Sequence, residues 1–110
     1  MATKNRTLGK ELTTSNLVIY TTPVRYTSEI TSIVVSNSSN STVTFSLDWY
    51  DSVSSTYYTI AEQVPMYGRS IIQLTNAFTL QQNDVIRGLA SVGSAITVSI
   101  KAEEFYSVVT

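Results

Sequence analysis

Cysteine and histidine are both absent from this 110-residue chain. Their absence removes disulfides, thiolate metal sites, cysteine nucleophiles and every catalytic scheme built on an imidazole. Charge is sparse: seven basic and eight acidic residues give a formal net charge of −1, and only 14% of residues are charged. No strong field exists to draw in nucleic acid or anionic lipid, so neither is expected as a partner. Apolar runs such as Ile33-Val34-Val35 fall far short of the roughly 20 residues of a membrane-spanning helix. Residues Met1–Lys10 lack the apolar stretch of a signal peptide. The four glycines stand apart at positions 9, 68, 88 and 93, so no phosphate cradle is formed. The length allows one domain.

Small hydroxyl side chains dominate what is present. There are 16 threonines and 16 serines, so more than a quarter of the chain is Thr or Ser, and seven tyrosines and one tryptophan accompany them. Threonine's branched Cβ fits a pleated sheet, while serine serves turns and solvent faces. Hydroxyls and aromatics stand where most soluble enzymes display lysine and glutamate. A surface low in charge is also the kind that packs against other copies or another protein, because interface cores are depleted of charge.

Alternation marks the strands. Val43, Phe45, Leu47 and Trp49 alternate with Thr44, Ser46, Asp48 and Tyr50, and Ile96, Val98, Ile100 and Ala102 alternate with Thr97, Ser99, Lys101 and Glu103. Each run has one apolar and one polar face, as in antiparallel sheets packed on one side. Shorter strands are expected at 17–20, 30–36, 56–63, 70–74 and 85–91, with a brief one at 78–80. Polar or Gly/Pro-containing links at 37–41, 51–55, 65–68, 83–84 and 92–94 separate them. No helical stripe occurs. The expected fold is all-β: an antiparallel β-sandwich or jelly roll of seven or eight short strands with little or no helix. Its expected core is Ile30, Val43, Phe45, Leu47, Trp49, Ile60, Leu74, Ile86, Ile96, Val98 and Ile100.

Chemistry-bearing constellations are few. Asp48 and Asp51 flank Trp49-Tyr50, but no second carboxylate faces Asp48 across a cleft as glycoside hydrolysis requires. Glu103 and Glu104 are neighbours in a strand, so they point to opposite faces and form no dyad. Without His or Cys, only oxygen-ligated cations remain, and Asn83-Asp84 reads as a turn rather than a loop site. No catalytic residue, cofactor or metal is expected. Trp49-Tyr50 and Tyr57-Tyr58 form an aromatic cluster that could stack on sugars; Trp49, however, shares a face with Val43, Phe45 and Leu47 and belongs to the core. Asn5, Asn37 and Asn40 begin N-x-[ST] patterns, which Ser/Thr richness generates by chance.

Both ends fall outside the periodic region. Residues 1–10 carry Lys4, Arg6 and Lys10 with no acid among them and are expected as an extended basic arm. The domain proper is expected over 11–104. Residues 105–110, with Phe105, Tyr106, Val108 and Val109, form an uncharged tail that needs cover from its own sheet or a neighbour. These seven side chains are the expected protein interface.

The order of segments resembles that of small virion proteins of tailed bacteriophages. Leu17-Val18-Ile19-Tyr20-Thr21-Thr22-Pro23 resembles their "LYTVP" opening, and Ile33-Val34-Val35-Ser36-Asn37 their "I-x-x-S-N" strand. Leu47-Asp48-Trp49-Tyr50-Asp51 is similar to "L-x-W-x-D", and Tyr57-Tyr58-Thr59-Ile60 to the "YYL" strand after it. Val64-Pro65, Phe78-Thr79-Leu80, Asn83-Asp84-Val85-Ile86-Arg87 and Ala90-Ser91 resemble the "VP", "L-x-L", "GD-x-I" and "AS" elements downstream. Asn83 stands where the pattern usually has glycine, a substitution asparagine tolerates because it also adopts positive φ. The resemblance runs from about Leu8 to Glu104 and implies a non-enzymatic β-sandwich of a phage particle. The expected role is capsid decoration (cement), bridging capsid subunits, with a neck, tail or fibre component as the alternative. A carbohydrate-binding module using Tyr50, Tyr57 and Tyr58 is the alternative from another class. The implied partners are the phage major capsid protein and further copies of the chain in a homo-oligomer, a trimer before a dimer. The implied location is the virion, assembled in the host cytoplasm, where a cysteine-free chain is at no disadvantage.

Overall fold

The computed structural model describes residues 3–74 and 78–106. Nine strands follow in chain order: β1 (Thr3–Glu11), β2 (Leu17–Thr21), β3 (Tyr26–Asn37), β4 (Val43–Asp51), β5 (Thr56–Met66), β6 (Ile71–Leu74), β7 (Phe78–Leu80), β8 (Val85–Ala90) and β9 (Ile96–Tyr106). They form two antiparallel sheets, and no helix occurs among the described residues. One sheet runs β1-β9-β3, with β6 and β7 end to end along the far side of β3; the other runs β2-β8-β4-β5. The architecture is a β-sandwich, as the alternation of Val43–Trp49 and Ile96–Ala102 predicts.

Each sheet turns its apolar set inward. Val43, Phe45 and Leu47 of β4 and Ile86 and Ala90 of β8 face Ile30, Ile33 and Val35 of β3 and Ile96, Val98, Ile100 and Ala102 of β9, all buried. Two register shifts keep this pattern in phase. Pairing of β3 with β9 slips at Thr31, so Ser28 and Ile30 point inward before it and Ile33, Val35 and Asn37 after it. Pairing of β2 with β8 slips between Val18 and Tyr20, which turns both Ile19 and Tyr20 into the core. Gly88 lets β8 approach β4: a Cβ there would lie 2.7 Å from Leu47 Cδ2 and 2.9 Å from the Ser46 carbonyl oxygen.

Three expected core residues are only partly buried. Trp49 sits near the end of β4 and stacks on Tyr58 of the edge strand. Ile60 lies where the β4–β5 register shifts, and Leu74 ends the edge strand β6. In their place the core gains Leu12, Ile19, Tyr20, Met66 and Leu80.

The largest difference from expectation is at the N-terminus. The segment expected as an extended basic arm, residues 1–10, supplies most of β1, which pairs with β9 from Thr3↔Phe105 to Glu11↔Thr97. Its period of two carries Lys4, Arg6 and Lys10 beside a single apolar residue, Leu8, on the side facing the other sheet. Apolar alternation was therefore missing, and β1 escaped a reading based on it. Phe105 and Tyr106, expected in the tail, complete β9 and are half-buried, and the rest of the expected tail lies outside the described residues.

Candidate interaction surfaces

At the outer edge of the β1-containing sheet, the inward face of β9 continues past Ala102 to Glu104, which is fully buried. Across the sandwich the Tyr20 hydroxyl donates to Glu104 Oε2 at 2.5 Å, and Ser28 Oγ lies 2.5 Å from the same phenol oxygen. From β1, Lys4 Nζ stands 3.6 Å from Glu104 Oε1 and Arg6 Nη1 3.6 Å from Oε2. Lys4 also lies over the Tyr26 ring, 4.6 Å from its centroid, and Tyr26 meets Tyr106 edge-on at 5.3 Å. A carboxylate withdrawn from water is tolerated only when paired and hydrogen-bonded, and this one has two cations and a phenol. Burial, then the Glu104 carboxylate, push the Tyr20 hydroxyl up to about 12, so it remains a donor at neutral pH.

The expected interface residues thus divide. Lys4 and Arg6 are tied to Glu104, while Lys10 is exposed on β1. Phe105 and Tyr106 lie in β9, and Val108 and Val109 lie outside the described residues. Glu103 and Glu104 do face opposite ways, one half-exposed and one buried. Sequence reasoning did not single out Glu104, Tyr20 or Ser28 as a cluster. The signal was present: the Ile96–Ala102 alternation reaches Glu104 at its next inward position, and an inward carboxylate demands a cationic partner.

On the outer face of the other sheet, Arg87 pairs with Asp48 at 3.2 Å and lies over the Tyr57 ring, 3.5 Å from its centroid. Tyr50 packs on Tyr57 at 4.8 Å. The rings expected as a sugar platform are therefore already engaged: Tyr57 by Arg87 and Tyr50, and Tyr58 by Trp49 at 5.2 Å. Beside them a shallow groove of about 380 Å³ is lined by Thr44, Ser46, Asp48, Glu62 and Gln63. Asp51 Oδ1 accepts from the Val53 amide, which ties it to its own turn.

Each end of the sandwich is pinned by one buried polar residue. At one end Asp84 accepts from Ser52 N and Oγ at 2.9 Å and from Gln81 N at 2.9 Å, and its carbonyl accepts from Thr22 N. Asp84 is thus a loop tie, as its turn reading requires. At the opposite end Asn37 donates Nδ2 to the carbonyls of Ser41, Met66 and Tyr67 and accepts at Oδ1 from Ser39. Exposed apolar side chains cap both ends: Val24 and Val53 beside the Asp84 tie, Tyr67 and Val92 beside the Asn37 tie.

No family model matches the chain, and no curated protein matches it in sequence. Among solved structures it is similar to a chain from the work titled "Bacillus endospore appendages form a novel family of disulfide-linked pili". The likeness has a TM-score of 0.57 at 14% identity and covers 96% of this chain and 87% of that one. It extends over nearly the whole sandwich and establishes a shared fold.

Proposed function

We propose that the chain is a non-enzymatic structural subunit of a repeating assembly, and that the assembly is a phage virion in which the chain decorates the capsid. The observation that carries the structural reading is the pair of stiffened ends. Asp84 and Asn37 lock the loops at opposite ends, and each end presents exposed apolar side chains together with one exposed arginine, Arg25 at the Asp84 end and Arg69 at the Asn37 end. A clamp needs two such surfaces, one for the shell and one for neighbouring copies. The pilus title of the structural neighbour supports a building-block role for this sandwich, and the ordered segments from Leu17 to Ser91 support the phage setting. That work describes disulfide-linked pili; this chain has no cysteine with which to form such a link.

The partners in this reading are the major capsid protein and further copies of the chain, a trimer at a three-fold joint before a dimer at a two-fold. Quantitative mass spectrometry of purified virions tests it. Decoration predicts hundreds of copies per particle, on the order of the capsid protein itself, one clamp per symmetric joint. About three to twelve copies, the size of an axial ring, would move the chain to the neck, tail or fibre. Absence from the particle together with glycan-array binding that is lost on substituting Tyr50, Tyr57 or Tyr58 would replace the structural reading with the carbohydrate one.

A further inference from the structure

We propose that β1 is an exchangeable strand: residues Thr3–Leu8 leave their own β9 and dock in the same register on β9 of a second copy. The inference deepens the assembly reading above, since it names how copies join each other.

The seat on β9 is specific for a cationic strand. Glu104 is fully buried, and among the described residues its charge is met, apart from the Tyr20 phenol, by Lys4 and Arg6 alone. An empty seat would deprive that carboxylate of both its cations and the strand that covers it. An ordinary apolar strand would not relieve it. Among the described strands, β1 is the one that places two cations opposite that carboxylate, and every copy carries an identical one. Exchange therefore preserves each contact and costs little enthalpy.

The strand is held by its ladder to β9 and its two ion pairs rather than by the core. Of its side chains on the core side, only Leu8 packs against the apolar core. The Lys4 and Arg6 side chains stay 51% and 41% exposed. β1 packs on β9 and only lightly on β2. Inward charge of this kind also discourages unspecific edge-to-edge pairing, which narrows the choice of incoming strand.

A pivot lies at the right place. Gly9 has ordinary negative φ, and a Cβ there would meet nothing closer than Ser99 Oγ at 3.9 Å. Neither space nor backbone conformation requires glycine, yet glycine weakens a strand and frees its backbone. Just beyond it Leu12 is fully buried, its amide donating to the Ile96 carbonyl at 2.8 Å and its carbonyl accepting from Ser94 N at 3.2 Å. Residues 3–8 can therefore swing while the sandwich stays closed, over a reach of roughly 20 Å for six extended residues.

Cross-linking of the full-length chain tests the exchange. Asn5 and Glu103 face each other across β1 and β9, and the natural chain has no cysteine to interfere. Asn5→Cys and Glu103→Cys are made in separate copies, mixed under native conditions and treated with a short bismaleimide. Exchange predicts a heterodimer joined between positions 5 and 103, several-fold above the off-register mixture of Asn5→Cys with Val53→Cys. Adding Lys4→Glu and Arg6→Glu to the Asn5→Cys copy should abolish that excess, with the acceptor copy untouched. Near-ultraviolet circular dichroism checks that each copy is folded. A 5–103 heterodimer no more abundant than the Asn5→Cys with Val53→Cys product, or one indifferent to the Lys4 and Arg6 reversals, would overturn the proposal. Neither result bears on copy number in the virion, so the assembly reading stands or falls separately.

Discussion

The Tyr20 hydroxyl and the Glu104 carboxylate meet across the sandwich at 2.5 Å, one from each sheet, with neither side chain reaching bulk water. This contact joins β2 to β9 and, through Lys4 and Arg6, fixes the edge strand β1. Removing the carboxylate takes the Tyr20 phenol's charged acceptor, leaving it Ser28 as a partner, and strips Lys4 and Arg6 of their counter-charge. Glu104→Ala should cost about 2–4 kcal/mol, from the lost charge-assisted hydrogen bond and the space left behind, while the half-exposed Lys4 and Arg6 regain water. Glu104→Gln keeps an acceptor for Tyr20 and should cost about 1–3 kcal/mol. Urea unfolding of the two variants checks the order.

Alkaline stability follows from the same contact. The Tyr20 hydroxyl is raised from its ordinary 10.0 to about 12 by burial first and by Glu104 second. The folded state thus holds this proton more tightly than the unfolded state. Its contribution is complete below about pH 10 and is lost as pH rises through about 12, a change of about 2–3 kcal/mol. Tyr20→Phe should be less stable at neutral pH yet lose less between pH 10 and 12. Unfolding free energies of both proteins across that range provide the measurement; parallel curves would contradict the assignment.

Two glycines of opposite character give a paired prediction. Gly88→Ala forces a methyl against Leu47 and the Ser46 carbonyl and should cost about 1–3 kcal/mol. Gly9→Ala enters open space and should raise stability by about 0.5–1 kcal/mol. Thermal melts of the two variants should move in opposite directions.

The strands with a clean apolar face were legible in the sequence, and β4 and β9 lie where the alternation of Val43–Trp49 and Ile96–Ala102 puts them. β1 was not, because Lys4 and Arg6 replace its apolar face and their counter-charge is nearly a hundred residues away in sequence. The same distance hid Tyr20 as a partner of Glu104. A local pattern also cannot show the slip between Val18 and Tyr20 that turns this tyrosine inward. Asp84 stands in a link read as a turn, whereas Asn37, read as the first residue of the 37–41 link, is the last residue of β3; the burial of both depends on loops brought together only by the finished sandwich.

Loosening one end should leave the other intact. Asp84→Ala strips the acceptors from Ser52 and Gln81 and should cost about 2–3 kcal/mol. Hydrogen exchange should quicken at the amides of Ser52 and Gln81, with little change at Ser39, which the Asn37 tie holds at the opposite end. Equal acceleration at both ends would mean that the loops open only with the whole domain.

The Trp49–Tyr58 pair decides how far aromatic surface serves the fold rather than a ligand. Trp49 packs against the core while half-buried, and Tyr58 is 44% exposed with its ring stacked on the indole. A fully buried tryptophan truncated to alanine costs about 3–5 kcal/mol, so Trp49→Ala should fall near the lower end, about 2–3 kcal/mol. Tyr58→Ala should cost about 1 kcal/mol, mostly through the lost stack. Because the two rings touch, their effects should not add: the double variant should be more stable than the sum by about 0.5–1.5 kcal/mol. Additive losses would show that Tyr58 contributes nothing to Trp49, leaving its ring free for a ligand. A Trp49→Ala loss below about 1 kcal/mol, the scale of surface substitutions, would extend that conclusion to the indole itself.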